Sequence, residues 1–584
     1  MRSYHPVFII IALCSAVSVE AAQLLPVKIT GLDKTLELEV RSVIDLPESS
    51  SKGIEVSEGR LVYYINSLNA LVEDSLEPHG YYHAKVSNSM VRNDQDVQIT
   101  IDIDLGEPVR VRQRNLKMDG PGNKDRFMGF WLEAFEPKPG DIFNHDTYET
   151  NKAIISQALL DRGYFDQNNS THEVRVTRAE NSADINLVWD SGIRYRYGAV
   201  RFDGNHLEPG LIEQLINFEQ GKYYSQPQIM RFQESLSKLN YFGTIEIVPD
   251  LENKDGDQVP IVVTLTEGKQ NSYNTSLSYG TKSGFGVEFG LERRWINQKG
   301  HKFDFVSDWS QKEQSMIASY RIPAFTWLDG WYGLSLEVRN EDYQTLPTRY
   351  VEASVNRFGE VRNWDLLASV NVRHERFDEF IPESNNAPPI NLYTTVVYPE
   401  FNAVWRSSRD IAFIPNGTSW TYQGRFGYEV QTADAWFAQG YVNHRRVISL
   451  TNKNRILLRA DLGAIWTQNY EYFPPSLRFY AGGDQSIRGY GFKEIGEYID
   501  GVNYGGQYLA LGSFEYEHRI LPEWAIATFV DFGDAFTQDF NLNVGAGIGA
   551  RWKSPIGPVR LDVAYGFNGP DPGIAFHFTL GSDL

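Results

Sequence analysis

Two patterns of hydrophobic and polar positions divide the chain near residue 270. From about Leu24 to Gly268 the pattern repeats at roughly 80 residues, a scale that signals repeated domains. Each unit leaves a helix through an aromatic turn: Gly80-Tyr81-Tyr82, Gly163-Tyr164-Phe165 and Asn240-Tyr241-Phe242. Each closes on an alternating strand before a glycine: Ile99–Leu105 before Gly106, Ile185–Trp189 before Gly192, and Ile261–Thr266 before Gly268. Period-two alternation marks half-buried strands. Asp146 with Glu149, and Ser225 with Gln228, have capping-box spacing. Ile229, Phe232, Leu236 and Leu239 then recur at helical spacing and make one apolar face. The predicted unit is strand, helix, helix, strand, strand, a small α+β domain, over 24–106, 107–192 and 193–268. The turn aromatics are predicted to be core.

After Asn271 helical periodicity stops. Val559, Leu561, Val563, Tyr565 and Phe567 alternate with Arg560, Asp562, Ala564 and Gly566. Ile574, Phe576, Phe578 and Leu580 alternate with Ala575, His577 and Thr579. A soluble sandwich would turn its apolar face inward, whereas a transmembrane barrel turns it toward lipid. Length favours the barrel. At roughly 20 residues per strand and loop, 270–584 holds about 16 antiparallel strands, and a soluble sandwich of that size would split into domains.

The N-terminus supports export. Arg2, the apolar run Val7–Val19 and the small residues of Val19-Glu20-Ala21 read as a signal peptide over 1–21. The single cysteine, Cys14, lies inside it, and Leu13 before it is too large for a lipoprotein signal. The rest of the chain therefore has no disulfide, thiolate nucleophile or Cys-ligated zinc. No later run approaches the ~20 apolar residues of a membrane helix. A net charge of -20 argues against nucleic acid. The 11 histidines show no metal-ligand spacing, and no nucleophile elbow occurs. Gly545–Ala550 fits G-x-G-x-x-A, but Pro555 and Pro558 forbid the helix that a dinucleotide site needs. It reads instead as a glycine-rich strand that admits close packing. No enzyme, metal or cofactor is expected.

One segment stands out, Ala481–Gly506, which is long and glycine-rich and contains Ile487-Arg488-Gly489-Tyr490. A loop of this length is uncommon without a role. Folded into a lumen, Arg488 would find carboxylate partners in Glu515 and Asp531 of the following strands.

Ala481–Tyr490, Phe529–Gly533 and Gly547–Pro558 together resemble, in that order, the lumen-loop and later barrel motifs of the BamA/TamA superfamily of outer-membrane insertases and two-partner transporters. The three N-terminal units resemble POTRA domains, and their number matches the TamA branch. Asp571, Gly573, Phe576 and Phe578 fit the family's C-terminal targeting pattern, although the chain continues to Leu584. The resemblance implies a 16-stranded outer-membrane barrel with its arm in the periplasm. It implies a lumen lock of Arg488 with Asp531, with Ile487, Gly489, Tyr490 and Glu515 around it. It also implies a TamB-like inner-membrane-anchored partner, contact with outer-membrane lipids and unfolded outer-membrane clients such as autotransporters.

A barrel must close first strand on last, because open edges in lipid leave backbone groups unpaired. The seam is expected between Tyr273–Gly280, with Tyr273, Leu277 and Tyr279, and Gly573–Leu580, with Gly573, Phe576 and Phe578. The flanking glycines predict fewer hydrogen bonds there than elsewhere. Family analogy makes the seam a lateral gate at which a client strand adds by β-augmentation. The alternative is a two-partner secretion transporter, which would need a plug helix before the repeats; none is evident between Ala22 and Val27.

Overall fold

The computed structural model describes residues 21–44, 54–93, 96–280, 283–325, 329–343, 345–379, 390–408, 414–431, 434–499, 501–554 and 557–580. The expected signal peptide, 1–21, lies outside them except for Ala21, which opens the strand Ala21–Leu24. The chain forms two compact units, whose division runs through the third repeat.

In the first repeat the closing strand, Asp96–Asp104, is central. It runs parallel to Lys28–Thr30 and Ala21–Leu24 and antiparallel to Lys85–Asn93, and Ile54–Ser57 extends the sheet beyond Ala21–Leu24. Val97, Ile99, Ile101 and Ile103 point one way and pack with Leu68, Val72 and Leu76 of the helix Glu58–Leu76. The second repeat has the same logic: Ser182–Asp190 lies between Arg110–Asp119 (parallel) and Asn168–Thr177 (antiparallel), over helices Arg126–Ala134 and His145–Asp161. The third contributes strands Arg196–Asp203, Phe242–Pro249 and Gln258–Glu267 and one helix, Gln226–Lys238. Its expected first helix is reduced to a single turn, Glu213–Leu215. Pro209 and Gly210, the latter at φ +90°, break the segment before it.

The aromatic turns follow from the backbone. Gly80, Gly163 and Asn240 all adopt left-handed conformations, at φ 91°, 87° and 55°. Only glycine, and less readily asparagine, ends a helix this way without a steric cost. Tyr164 and Tyr241 beyond them are buried. The capping spacings resolve differently. The helix His145–Asp161 is capped by Asn144, whose side chain accepts from Thr147 N at 3.0 Å, so Asp146 lies within the first turn and is not the cap. At Ser225 the box closes through a tyrosine: Ser225 N donates to the Tyr197 hydroxyl at 3.0 Å, which donates to Gln228 Oε1 at 3.1 Å.

From Asn271 onward sixteen strands form one sheet in sequence order, each antiparallel to the next. This is the barrel. Its sides invert the soluble rule: large apolar residues such as Phe401, Phe426 and Phe576 are exposed, while Glu375, Glu515 and Asp531 are buried. Among the described residues no helix is long and apolar enough to cross a membrane. The first strand is Asn271–Gly280 and the last is Ile574–Leu580, at seven residues the shortest of the sixteen. Gly573 lies just before it, not in it.

A buried lumen-loop lock and an open seam

Between strands Asn454–Thr467 and Tyr508–Leu521 the chain makes a long excursion into the barrel. Its tip is Ile487-Arg488-Gly489-Tyr490, and each residue type has a local reason. Ile487 is fully buried in an apolar cluster with Ala481, Tyr490, Ile495, Leu509 and Leu511. Gly489 has φ +100°, and a Cβ there would stand 2.7 Å from Gly566 N, so only glycine brings the tip this close to the wall. The Tyr490 hydroxyl donates to Val544 O at 3.0 Å.

Arg488 is the centre. Its Nε and Nη2 donate to the two carboxylate oxygens of Asp531 at 2.7 and 2.9 Å, a bidentate fork, and its backbone N–H reaches Asp531 Oδ2 at 3.0 Å. Its Nη1 donates to Glu515 Oε2 at 2.6 Å and to Asp562 Oδ2 at 3.2 Å. The guanidinium lies 3.4 Å over the Phe529 ring. Arg551 binds the outer sides of the same acids, with Nη2 on Glu515 Oε1 at 2.7 Å and Nη1 on Asp562 Oδ1 at 2.6 Å. Arg551 Nε also lies 3.4 Å from Glu517 Oε1, so two arginines serve four carboxylates. Arg488 is 6 % exposed, Glu515 4 % and Asp531 0 %, so the cluster is a buried network.

The glycine strand Asn543–Ser554 belongs to this site. A Cβ on Gly545 would overlap the Arg488 carbonyl, and one on Gly549 would overlap the Asp562 carboxylate. The inward glycines make room for the lock, which explains the run Gly545–Ala550 without a nucleotide.

Sequence reasoning named Arg488, Asp531 and Glu515, and the fold brings these together. It left out Asp562 and Arg551, which lie on the polar face of the alternation but meet the lock only through strand register: Asp562 stands opposite Gly549, and Arg551 opposite Arg560. It also left out a second attachment on another strand. Glu375, on Trp364–Glu379, accepts from Ser476 N at 3.1 Å and binds the Ser476 hydroxyl, which also takes Arg373 Nη1. Lys493 Nζ adds a contact to Glu341 Oε2 at 2.7 Å. Only knowledge of which loop residues face which strand could have found these.

The seam residues sit elsewhere. Tyr273 and Leu277 project from the first strand and Phe576 and Phe578 from the last, all on the exposed apolar face. Tyr279 stands opposite Phe285 in the ladder, and Gly573 O accepts from Gly566 N at 2.9 Å. The first strand pairs only with Gly284–Arg293 and the last only with Gly557–Gly566; among the described residues no backbone ladder joins them to each other. Where a weakly bonded seam is expected, the outer edges of these two strands carry no ladder among the described residues.

The Omp85 superfamily domain matches residues 266–584. The POTRA family described as surface antigen variable number repeat matches 195–268, and POTRA domain TamA domain 1 matches 26–105. Outer membrane protein assembly factor BamA of Nitratidesulfovibrio vulgaris is 24 % identical over 587 residues, covering 95 % of this chain and 72 % of its own length. BamA from Haemophilus ducreyi lacking POTRA domains 1-3 is similar in structure, with a TM-score of 0.64 at 19 % identity, over 81 % of this chain and 99 % of that one. CdiB from Acinetobacter baumannii aligns with a TM-score of 0.43 at 14 % identity, over 82 % and 90 %. With more than half its length in the Omp85 match, preceded by POTRA matches, the chain belongs to the Omp85 superfamily.

Proposed function

We propose that this chain is a non-enzymatic assembly factor of the bacterial outer membrane, with its arm in the periplasm, that inserts or translocates outer-membrane proteins such as autotransporters. The signal peptide is 1–21, the POTRA repeats are 24–106, 107–192 and 193–268, and the barrel is 270–584. The observation that carries the reading is the open sheet: the last strand offers seven residues with one edge unpaired among the described residues. An unpaired edge is a template for an incoming strand, and its free N–H and C=O groups supply the driving force without ATP or covalent chemistry. The name of the Nitratidesulfovibrio relative points the same way. The Arg488–Asp531–Glu515 network, with Ile487, Gly489 and Tyr490, holds the lumen loop in place while Tyr273, Leu277, Tyr279, Gly573, Phe576 and Phe578 flank the lateral opening.

The finer role is that of the TamA branch, with a TamB-like, inner-membrane-anchored partner docking on the first repeat. The TamA-type match over 26–105 and the three repeats support it. Reconstitution tests both levels. Liposomes carrying the chain should speed the insertion of an unfolded autotransporter barrel over empty liposomes, and equal rates would refute the assembly role. Deleting 24–106 should abolish co-purification of the large periplasmic partner; retained co-purification would refute the docking assignment.

A further inference from the structure

The last strand is held by more than its ladder. Of its inward residues, Ala575 is small, while His577 and Thr579 both bind the lumen loop. Gly489 N donates to His577 Nε2 at 3.0 Å, and Thr579 Oγ1 donates to Asp484 Oδ2 at 3.2 Å. His577 is 5 % exposed. As an acceptor, Nε2 carries no proton, so the ring is neutral with its hydrogen on Nδ1. Gly489 directly follows Arg488, and one peptide plane links the N–H on His577 to the Arg488 Cα, from which both the backbone N–H and the guanidinium reach Asp531.

We propose that His577 and Thr579 tether the last strand to the loop tip, so that release of the Arg488 lock and release of the strand edge are one event. Hydrogen bonds weaken steeply outside ~2.7–3.2 Å. The Arg488 backbone, whose N–H holds Asp531 Oδ2 at 3.0 Å, cannot withdraw by much more than an ångström without breaking the Gly489–His577 bond. In the other direction, a last strand drawn outward pulls on the tip. Gly489 lies against Gly566 of the neighbouring strand and leaves no slack on that side. The inference deepens the lateral-opening reading and rests on it for its purpose, but the tether is a property of the barrel alone.

Hydrogen–deuterium exchange on the full chain in detergent micelles reads it without a client. His577→Phe keeps a ring and loses the acceptor; His577→Gln keeps a carbonyl acceptor; Thr579→Val loses the donor. Amides of 574–580 should exchange about five- to tenfold faster in His577→Phe and in Thr579→Val, the value of one net hydrogen bond. They should stay near the parent rate in His577→Gln. Arg488→Ala should speed exchange both in 481–506 and in 574–580. Strands Tyr508–Leu521 and Trp524–Phe536 should be unmoved in the His577 and Thr579 variants. Unchanged exchange of 574–580 in both His577→Phe and Thr579→Val overturns the tether. So does an Arg488→Ala protein whose loop loosens while 574–580 does not. Where one variant loses its folded, heat-modifiable form on gels, the remaining three decide. Failure of client insertion with the exchange pattern intact would count against the assembly role and leave the tether standing.

Discussion

Replacing Arg488 by alanine should free the lumen loop without unfolding the barrel. The effect can be apportioned among the partners. Glu515 and Asp562 keep Arg551, at 2.7 and 2.6 Å. Asp531 loses both guanidinium bonds and keeps the Ser513 hydroxyl at 2.5 Å and the backbone N–H of residue 488. The stranded group is therefore Asp531, which is fully buried. Breaking a buried pair by removing one partner costs ~3–5 kcal/mol, and the surviving partners argue for the lower end, ~3 kcal/mol. The strand ladders do not involve the loop, and lifting the tip lets water reach Asp531. The cost thus falls on loop docking, raising the open population about a hundredfold. Trypsin reads that population at Lys493, which is held by Glu341 in the docked loop. Cleavage follows the open fraction when reclosure is fast. The expectation is about hundredfold faster cutting after Lys493 in Arg488→Ala, with the heat-modifiable barrel retained. In Asp531→Asn the Arg488→Ala change should have a much smaller further effect, because the stranded charge is already gone. Parent-like cutting at Lys493 in Arg488→Ala would refute the reasoning.

Three further outcomes are expected. Gly545→Ala should displace the loop tip by placing a Cβ on the Arg488 carbonyl, raising trypsin cutting at Lys493 while circular dichroism still reports a folded barrel. Glu375→Ala removes the acceptor of Ser476 N and its hydroxyl, at ~1–3 kcal/mol, and should make the reconstituted protein's ion conductance larger or noisier. In the isolated arm, His145 has its Nε2 2.6 Å from the Tyr82 hydroxyl, and burial, more than any neighbouring charge, pushes its pKa down. The unfolded chain then binds the proton more readily, so stability is present above about pH 6.5 and is lost as the pH falls from there toward the folded value. Urea midpoints at pH 7.5 and 5 should differ by more in the parent arm than in His145→Gln.

The sequence carried those features that depend on one segment at a time. Alternation in Val559–Phe567 and Ile574–Leu580 announces strands with one apolar side, and Gly80, Gly163 and Asn240 announce left-handed helix ends. Arg488 could be matched to Asp531 and Glu515 because a lone cation in a lumen needs carboxylates, and few lie on the next strands. Features that depend on register were hidden. Asp562 faces Arg488 because it stands opposite Gly549, and Glu375 meets Ser476 across 101 residues. Local competition also escaped the pattern: Asn144 caps ahead of Asp146, and Pro209-Gly210 cuts the third repeat's first helix to one turn.

The central claim is that clients enter through the gap between Asn271–Gly280 and Ile574–Leu580. It is tested most directly by closing that gap. Single cysteines placed along 272–276 and along 574–578 should give at least one pair that forms a disulfide once the two edges are drawn to the roughly 7 Å Cα separation such a bond needs. With that pair fully oxidised, the barrel should stay folded and insertion of an autotransporter barrel into liposomes should stop, and reductant should restore it. Undiminished insertion by a completely locked seam would contradict the account and move the working part to the lumen or the periplasmic arm.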